Sequence, residues 1–395
     1  MKKRKNGKNT TSCKTLKNSY YVVMKVEQLK IAIVCDWLTN FAGAERVILK
    51  LHKMFPNAPI YTSIYNEEKM KEFGDAAIFT SFIQKFPKAK DKHQWYLPFY
   101  PLAFEQFDLS SYDIVISSCH SASKGIITKP KTLHLSYCHS PMRYAWDNSH
   151  EYLRNYKFPW PVSHFIPKLI HKIRLWDRLA ADRVDQFVTN SKFVQKRIKK
   201  YYKRDAKVIY PMVNVKDFFI TPGKKDYYLA VGRFTPYKKF DLIVDTFNEL
   251  PFKLKIIGTG KQEKALKSKA KKNIEFLGRV SEGTLREAYS NAKALIFPQV
   301  EDFGITPLES MASGRPVIAF KAGGALETVK EKISGIFFDE QNVPSLKAAI
   351  IQNEKTKWNP KEIRKYVRKF DESVFEKQFK SYLSEIYENL MKKMA

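Results

Sequence analysis

The sequence predicts an α/β protein in which two doubly wound, Rossmann-like domains face each other across a central cleft, with a closing helix at the C-terminus. Short apolar runs rich in β-branched residues alternate with segments of helical spacing, which is typical of a parallel sheet covered by helices on both faces. The alternation is interrupted at residues 211–225 by two prolines and a glycine, and it begins again at Tyr227. A chain of 395 residues, 44% of them hydrophobic, is long enough to bury two cores.

Five strands are expected in the first half of the chain. The first lies within residues 29–35 and is followed by a turn with Gly43 and a helical pattern over residues 44–54. The other four expected strands are residues 114–117, 133–138, 186–189 and 208–210. We therefore assign residues 24–210 to a first domain. Residues 1–23 carry seven Lys or Arg and no acid, which indicates a disordered basic leader with Met24 as an alternative start.

Six strands are expected in the second half, and they form a second domain over residues 226–370 after a linker at 211–225. These strands are residues 227–231, 254–257, 274–276, 294–297, 316–319 and 335–338. Apolar residues at helical spacing then predict an amphipathic closing helix over residues 371–395. Because one linker joins the two sheets, their carboxyl ends are expected to face each other, and such ends bind ligands in open α/β sheets.

Composition excludes several classes of protein. The four cysteines are far apart and include no Cys-x-x-Cys pair, so neither a zinc cage nor a disulfide framework is expected. No apolar run reaches the roughly 18 residues that a membrane-spanning helix needs. The chain carries 70 Lys and Arg against 40 Asp and Glu, a net charge of +30, of which +20 lies before residue 211. That excess is compatible with nucleic-acid binding, but no helix-turn-helix, zinc-finger or RNA-binding signature is present.

Two glutamates eight positions apart carry the most specific chemical signal. Glu301 follows an expected strand, and Glu309 is expected in the first turn of a helix that Pro307 indicates. Gly304 lets backbone approach a ligand, and the unpaired N–H groups of a helix start can bind an anion or a hydroxyl-rich group. A single glutamate would be interpreted as a solvated loop charge; the glycine and proline around this pair favour a sugar-binding site.

With these residues, the sequence resembles the retaining glycosyltransferases of family 4, which have the GT-B fold and a Glu-x7-Glu motif. The resemblance extends from about residue 29 over nearly all of the chain. It implies that Glu301 contacts hydroxyls of the donor sugar and that Glu309 holds the nucleotide ribose. It also implies an acceptor-side first domain and a nucleotide-sugar-binding second domain. The implied donor contacts between the two glutamates are Phe303, Gly304, Ile305 and Thr306.

A second motif, Gly-Arg after the strand at 227–231, contributes cations. Arg233 offers a planar fork of donors and Lys238 a compact charge, a pair suited to a diphosphate leaving group. The two adjacent lysines at this point are in isolation more typical of a solvated face. The family resemblance places its catalytic lysine at Lys238 rather than Lys239.

Two glycine-containing loops complete the donor site by resemblance. Residues 41–46 correspond to the family's Gly-rich loop, whose backbone approaches the donor phosphate or the acceptor, with Gly43 as the matched residue, although one glycine alone predicts only a turn. The turn at 257–260 is expected to be mainly structural, whereas the helix start at 322–328 is expected to help frame the phosphates. The loop implied beside the nucleobase consists of Gly278, Arg279 and Val280.

Two histidines compete for a place in the cleft. His139 ends the expected strand at 133–138, where the family has a functional histidine, and it is the candidate for contact with a sugar hydroxyl. His120 ends a neighbouring strand and is the alternative. Arg143 and Tyr144, in the loop after His139, are further acceptor-side candidates.

The resemblance implies transfer of a hexose with retention of anomeric configuration, and the subgroup resembles bacterial O-antigen and exopolysaccharide mannosyltransferases. The expected donor is GDP-mannose, the acceptor a hydroxyl of a lipid-linked glycan or polysaccharide, and the catalytic residues His139, Glu301, Arg233 and Lys238. No metal or other cofactor is expected, because no Asp has another Asp two positions away as in the metal motif of the other major glycosyltransferase fold. The alternatives are a UDP-sugar donor, a nucleotide-sugar epimerase or a pyridoxal-dependent phosphorylase of related fold, and a basic nucleic-acid-binding protein.

The charge excess has an interpretation under this function. Seven of the charges belong to the leader, and eight Lys and Arg cluster at residues 192–207. Half of that cluster or more is explained by a solvated helix face. A polybasic surface also gains roughly 1 kcal/mol per residue near an anionic membrane, where lipid-linked acceptors lie. The expected location is therefore cytoplasmic, with peripheral contact to the inner face of the membrane.

Overall fold

The structure is a computed structural model that describes residues 29–147, 149–150, 162–223 and 225–394. The basic leader predicted at residues 1–23 and the alternative start at Met24 lie outside the described residues.

The described residues of the first half form a sheet of seven strands in the order β3-β2-β1-β4-β5-β6-β7, and every neighbouring pair is parallel. The strands are β1 Ile31–Cys35, β2 Ile60–Thr62, β3 Ile78–Thr80, β4 Ile114–Cys119, β5 Leu133–Cys138, β6 Gln186–Thr189 and β7 Ala206–Val208. The five expected strands are confirmed, with the last shifted by two residues. Strands β2 and β3 were not predicted from the sequence. Each has only three residues, too few for a clear apolar pattern, and the side chains of β3 are also largely exposed.

The described residues of the second half form a sheet of six parallel strands, as predicted, in the order β10-β9-β8-β11-β12-β13. The strands are β8 Tyr227–Val231, β9 Lys253–Ile257, β10 Ile274–Gly278, β11 Ala292–Phe297, β12 Val317–Phe320 and β13 Gly335–Phe338.

Helices cover both sheets and begin and end at definable residues. The helices of the first half are α1 Gly43–Met54, α2 Ala89–Lys92, α3 Tyr100–Glu105, α4 Val162–Asp182 and α5 Lys192–Tyr202. Those of the second half are α6 Phe240–Asn248, α7 Glu263–Lys269, α8 Glu282–Asn291, α9 Ile305–Ala312, α10 Ala325–Thr328, α11 Val343–Lys355, α12 Pro360–Val367 and α13 Glu372–Met394. None of the helices within the described ranges is long and apolar enough to cross a membrane.

The strand order of each sheet reverses at its first strand. In the first sheet β1 lies between β2 and β4, and in the second β8 lies between β9 and β11. Such a reversal leaves a crevice at the carboxyl ends of the central strands, because the loops on its two sides leave in opposite directions. Predicted site residues follow these central strands, and His139 and the loop at 278–280 follow or end the nearby strands β5 and β10.

The chain passes between the two sheets twice, not once as the sequence analysis expected. After the second sheet, α13 returns to the first, and Phe375, Phe379 and Leu383 are buried in the same core as the side chains of β1. At this second crossing the backbone N–H of Val213 donates to the carbonyl of Phe370 over 3.0 Å. The closing helix is thus part of the core of the first domain.

Candidate active site

Helix α9 places the second glutamate of the pair. It begins after Gly304, whose φ of 89° lies in the left-handed region, and a Cβ at this position would lie 2.9 Å from the ring of Phe297. Because the first helical residue is Ile305, Glu309 lies in the second turn rather than in the first turn, where the sequence placed it. The prediction was wrong because Pro307 is the third residue of the helix and not its start.

Both carboxylate oxygens of the buried Glu309 have protein partners. Oε1 contacts Nη1 of Arg46 from the first domain, and Oε2 accepts a hydrogen bond of 2.7 Å from the hydroxyl of Tyr289. The carboxylate raises the pKa of the Arg46 guanidinium. The sequence indicated no role for Arg46, which is 263 positions from Glu309, or for Tyr289, which belongs to no motif.

The first glutamate pairs with the predicted lysine. Nζ of Lys238 contacts Oε1 of Glu301, and each side chain is 17% exposed. Arg233 lies five positions before Lys238, is exposed, and has no ion pair within the part of the chain that the structure describes. Burial raises the pKa of Glu45, at the start of α1. The positive charge of Arg233 is close enough to oppose that rise. The structure therefore brings Arg233, Lys238 and Glu301 to the cleft.

The Gly-rich loop of the first domain meets the glutamate loop of the second. A Cβ at Gly43 would lie 3.2 Å from Cδ1 of Ile305, tighter than most side-chain contacts allow. The backbone N–H of Ala42 donates to Oε2 of Glu45 over 3.0 Å, which fixes the first turn of α1. A side chain at position 43 would require Ile305 to shift, because the two domains approach closely here.

The loop before α10 interlocks with the glutamate loop. The backbone N–H of Gly324 donates to the carbonyl of Glu301 over 2.8 Å, and a Cβ at Gly324 would lie 2.3 Å from Cα of Phe303. The ring of Phe303 is buried and stacks on Tyr210 with ring centroids 5.7 Å apart. Contact of Phe303 with a ligand is therefore limited to its backbone.

Glu327, in α10, reaches across the cleft to the start of α5. Its two carboxylate oxygens accept hydrogen bonds from the backbone N–H groups of Lys192, over 2.8 Å, and Phe193, over 2.9 Å. A carboxylate at this place complements the positive end of the helix. The segment at 322–328 thus supports the glutamate loop on one side and holds the first domain on the other.

Both candidate histidines lie at carboxyl ends of neighbouring strands, with ring centroids 6.5 Å apart. Nε2 of His139 lies 2.8 Å from Oγ of Ser118. Burial, together with the nearby His120, lowers the pKa of His139 to about 3, so its imidazole is neutral at physiological pH. The ring of His120 meets Trp37 edge-on, with centroids 4.7 Å apart.

The two other acceptor-side candidates have different surroundings. Arg143 crosses the cleft to Asp302, with Nη2 2.7 Å from Oδ2, and Asp302 also accepts from Arg197 over 2.9 Å. Burial lowers the pKa of Arg143, but the contact with Asp302 outweighs burial and raises the pKa above its ordinary value. Tyr144 lies behind the His120 loop, with its hydroxyl 2.9 Å from Oγ of Ser121. The sequence did not indicate the roles of Asp302 and Arg197.

The loop at 278–280 remains open to a ligand. Gly278 has a φ of 67° and nothing within 4 Å of the place of a Cβ, and the side chain of Arg279 is exposed. Val280 packs against the second-domain core. The glycine turn at 257–260 has a packing role, because a Cβ at Gly258 would lie 1.9 Å from the carbonyl oxygen of Gly232.

The charges of the cleft are arranged in opposed pairs. Arg46 and Arg143 of the first domain contact Glu309 and Asp302 of the second, and Lys238 contacts Glu301. Such a cleft can bind a ligand that carries both phosphates and hydroxyls, since cations and carboxylates lie within one site. Across the described ranges, no three His, Cys, Asp or Glu side chains are grouped to hold a metal ion.

Two doubly wound sheets with these side chains gathered between them form the GT-B fold. Residues 41–217 match the model of the family described as Glycosyltransferase Family 4, and residues 215–370 match the model described as Glycosyl transferases group 1. The chain belongs to this family of glycosyltransferases.

The curated relatives include mannosyltransferases. The chain is 27% identical to alpha-1,3/1,6-mannosyltransferase ALG2 of Dictyostelium discoideum over 58% of this chain and 64% of the relative. It is 33% identical to the O-antigen chain mannosyltransferase RfbU of Salmonella typhimurium over 41% of this chain and 48% of the relative. An uncharacterized glycosyltransferase of Methanocaldococcus jannaschii is 32% identical over 46% of this chain and 53% of the relative. The chain thus spans about half to two thirds of the curated relatives it matches.

Solved structures share the fold at low sequence identity. The Anabaena protein HepE, in complex with UDP and glucose, has a TM-score of 0.68 and 16% identity, with 90% of this chain and 99% of that chain covered. Sucrose-phosphate synthase from Thermosynechococcus elongatus has a TM-score of 0.72 and 16% identity, with 91% and 100% covered. These likenesses establish the GT-B fold.

Proposed function

We propose that the protein is a retaining hexosyltransferase that moves mannose from GDP-mannose to a hydroxyl of a lipid-linked or polysaccharide acceptor. The observation that carries the proposal is the convergence in one cleft of Glu301 with Lys238, Glu309 with Arg46, and the close approach of Gly43 to Ile305. Together with membership of the family, this convergence favours a nucleotide-sugar donor.

The cations serve the leaving group. Arg233 is exposed in the cleft and Lys238 lies beside Glu301, so a diphosphate placed between them would be held by two positive charges. Charge that develops on the departing nucleotide diphosphate is stabilised by such fixed cations, and each one contributes on the order of 10² to 10³ in rate. We propose that this stabilisation replaces a metal ion.

The carboxylates serve the sugar and the ribose. Glu301 accepts hydrogen bonds from hydroxyls of the donor sugar, and Glu309 from those of the ribose. Since Arg46 contacts Glu309 and Lys238 contacts Glu301, the donor shares or displaces these contacts as it binds. Backbone N–H groups from Gly304 to Thr306, together with the loop from Gly278 to Val280, complete the proposed donor site. We propose that His139, neutral in this setting, contacts a hydroxyl of the donor sugar.

The identity of the donor is supported by the curated relatives. Both ALG2 and RfbU are named mannosyltransferases, which favours a mannose donor. The second candidate is a UDP-sugar, because the structural neighbour HepE is in complex with UDP and glucose or with UDP-glucose. Ligand-induced thermal stabilisation by GDP-mannose compared with UDP-glucose separates the two, since a ligand that binds the native state at 100 times its Kd stabilises it by about 2.7 kcal/mol.

Transfer assays of variants test the site. In Glu309→Ala and Arg233→Ala we expect transfer from GDP-mannose to fall by about 100-fold or more, because each loses a contact to the donor. Lys264→Ala, which removes an exposed cation from α7 of the same domain, is the matched control and retains the unmutated rate. Transfer at the unmutated rate in both site variants would refute the assignment of the donor site, and loss of activity with chelator would refute metal independence.

We further propose that the first domain contacts an anionic membrane. On α4 an exposed stripe at spacings of three and four residues consists of Phe165, Lys168, Lys172, Leu175 and Leu179. A second exposed apolar stripe precedes it in the chain and consists of Trp95, Phe99 and Leu102. Helix α4 and the segment of the second stripe are neighbours in the structure, as shown by the hydrogen bond of 2.8 Å that Nε1 of Trp176 donates to Oε1 of Glu105. Apolar side chains interspersed with lysines are typical of helices that lie in a membrane interface.

The basic cluster at residues 192–207 supports membrane contact less strongly than its number of Lys and Arg residues suggests, because two of its arginines have partners within the protein. Arg197 is buried and pairs with Asp147 and Asp302, and Arg204 donates to backbone carbonyls at the end of α4. Lysines of α5 remain exposed. The stripe on α4 is therefore the better candidate for membrane contact.

Cosedimentation with liposomes tests the membrane contact. We expect binding to vesicles that contain phosphatidylglycerol, weaker binding at high salt, and loss of binding in a Leu175→Ser, Leu179→Ser double variant, because it removes the apolar part of the stripe. Ile351→Ser, at an exposed apolar position of α11, serves as the control. Binding that is independent of anionic lipid and of these leucines would contradict the proposal.

A further inference from the structure

Asp36, the residue after β1, is a buried carboxylate with four backbone donors. Its Oδ2 accepts hydrogen bonds from the N–H groups of His120, over 2.7 Å, and Ser121, over 2.9 Å. Its Oδ1 accepts from Ala122 over 2.6 Å and Ser123 over 2.7 Å. Only 1% of Asp36 is exposed, so the loop after β4 is folded around this one carboxylate.

The same carboxylate lies beside the imidazole of His120. Nδ1 of His120 is 3.1 Å from Oδ2 of Asp36, an electrostatic contact outside hydrogen-bond geometry that leaves Nδ1 buried, and Trp37 supports the ring from a second side. The His120 side chain is nevertheless 31% exposed. A ring that is held on two sides and accessible on another can present only one nitrogen, Nε2, to a ligand in the cleft.

We propose that His120 accepts a hydrogen bond from the acceptor hydroxyl through Nε2, and that Asp36 is a positioning residue that fixes the tautomer and orientation of this imidazole. A carboxylate beside Nδ1 favours the proton at Nδ1, which leaves the lone pair of Nε2 free to accept. The inference rests on the proposed glycosyl transfer and adds the acceptor contact to it. The interaction is a hydrogen bond that orients the hydroxyl, without transfer of a proton to the ring.

The two histidines have different side-chain partners, which supports different roles for them. Nε2 of His139 is engaged by Oγ of Ser118, whereas the polar side-chain contact of His120 within the described residues is made to Asp36 through Nδ1. The titratable groups that face His120 are Asp36 from the end of β1, Glu45 from α1, His139 from the end of β5 and His93 from the helical turn before α3. Two of these four are carboxyl groups, and the two histidines are held neutral by burial, with pKa values of about 3 for His139 and about 4 for His93.

Nitrogen NMR of the full chain, labelled with ¹⁵N-histidine, tests the tautomer without any substrate. At pH 7.5 we expect the neutral form of the His120 ring, identified by the signals lost in His120→Gln, to carry its proton on Nδ1. A neutral ring with its proton on Nε2 overturns the proposal. Asp36→Asn is a weaker probe, because an amide cannot accept all four N–H bonds and the variant can fail to fold. The wild-type spectrum therefore decides.

Steady-state kinetics with GDP-mannose and octyl α-mannoside test the acceptor contact. We expect His120→Gln to raise KM for the mannoside or lower kcat by about tenfold while KM for GDP-mannose stays within twofold. The exposed His171→Gln is the control and changes neither. A His120→Gln variant that raises only the donor KM, or alters no constant, overturns the acceptor role. If the wild type transfers no sugar from any nucleotide donor, the proposed function fails, whereas the NMR result still decides the pairing of Asp36 with His120.

Discussion

Glu309 is held from both domains, by Arg46 of α1 and Tyr289 of α8. Tyr289 is buried behind the carboxylate, whereas Arg46 approaches it from the cleft and is 30% exposed. Under the proposed function, we expect the Tyr289 contact to be retained when a ribose binds and ribose hydroxyls to compete with the Arg46 contact. At the scale of single residues, the tyrosine fixes the carboxylate, and we propose that the arginine links donor binding to the position of the first domain.

Removal of the tyrosine hydroxyl tests this division. We expect Tyr289→Phe to lower the free energy of unfolding by about 1–3 kcal/mol, since a buried carboxylate oxygen loses its donor, and to raise the Kd for GDP-mannose several-fold because Glu309 is less well oriented. Tyr227→Phe is the matched control: its hydroxyl donates to the carbonyl of Ala288 over 2.9 Å in the same core. Calorimetry of both variants should show destabilisation in each and weaker donor binding only in Tyr289→Phe; equal donor affinity would contradict the role.

The candidate site residues could be predicted from the sequence, but the side chains that contact them could not. Glu301, Glu309, Arg233 and Lys238 belong to short motifs after predicted strands, so spacing identified them as candidates. The partners of Glu309 and Glu327 come from segments more than 100 positions away or from helices that carry no motif, such as Arg46 and Lys192. Contacts between domains depend on how the two sheets are oriented, which local patterns do not encode.

At the scale of elements, two loops of the second domain form one unit. The turn at 322–324 packs against backbone of the glutamate loop at 301–303, with Gly323 at a φ of 62° and its hypothetical Cβ 2.5 Å from the carbonyl oxygen of Glu301. The contact is backbone to backbone, so it cannot relax by a change of rotamer. The orientation of Glu301 therefore depends on glycines at positions 323 and 324.

Substitution of one of these glycines tests the interlock. In Gly324→Ala the added methyl group would overlap Cα of Phe303 at 2.3 Å, so the glutamate loop must move. We expect a loss of stability of about 1–3 kcal/mol from overpacking and at least tenfold weaker binding of GDP-mannose in a titration. Gly283→Ala, at an exposed position of α8 where the nearest atom lies at 3.8 Å, is the control and leaves both quantities near or above wild type. Unchanged donor binding in Gly324→Ala would show that the loops move independently.

Elements with long apolar runs were predicted, and short exposed ones were not. The strands β4 and β5 are buried over six residues each, and their sequence patterns alone located them. Strand β3 is largely exposed, so its sequence lacks the apolar run that marks a buried strand. The start of α9 was misplaced because a left-handed Gly304, not the proline, ends the preceding loop.

At the scale of the whole molecule, α13 belongs by packing to a domain from which the sequence separates it. Its rings of Phe375 and Phe379 stack with centroids 5.6 Å apart, and Phe375 meets Tyr137 of β5 at 6.1 Å. Lys50 of α1 pairs with Glu376 over 2.9 Å. The amphipathic pattern predicted the helix, but it did not indicate which sheet the apolar face would cover.

A cavity in α13 tests its contribution to the first domain. We expect Phe379→Ala to lower the free energy of unfolding by about 3–5 kcal/mol, because the ring is buried in the first core. Glu388→Ala, at an exposed position of the same helix, is the control and changes the stability by less than about 0.5 kcal/mol. Hydrogen exchange should show lost protection in β1 and β5 of Phe379→Ala, and lost protection confined to the second sheet would contradict the assignment.

The return of α13 to the first sheet also bears on the order in which the two domains can fold during synthesis. Strand β1 leaves the tunnel first, yet the phenylalanines that complete its core are more than 330 positions later in the chain. Domains generally fold as they are synthesised, beginning at the N-terminus. Here the first domain is completed only by α13, and until that helix emerges the apolar surface that Phe375 and Phe379 cover stays exposed.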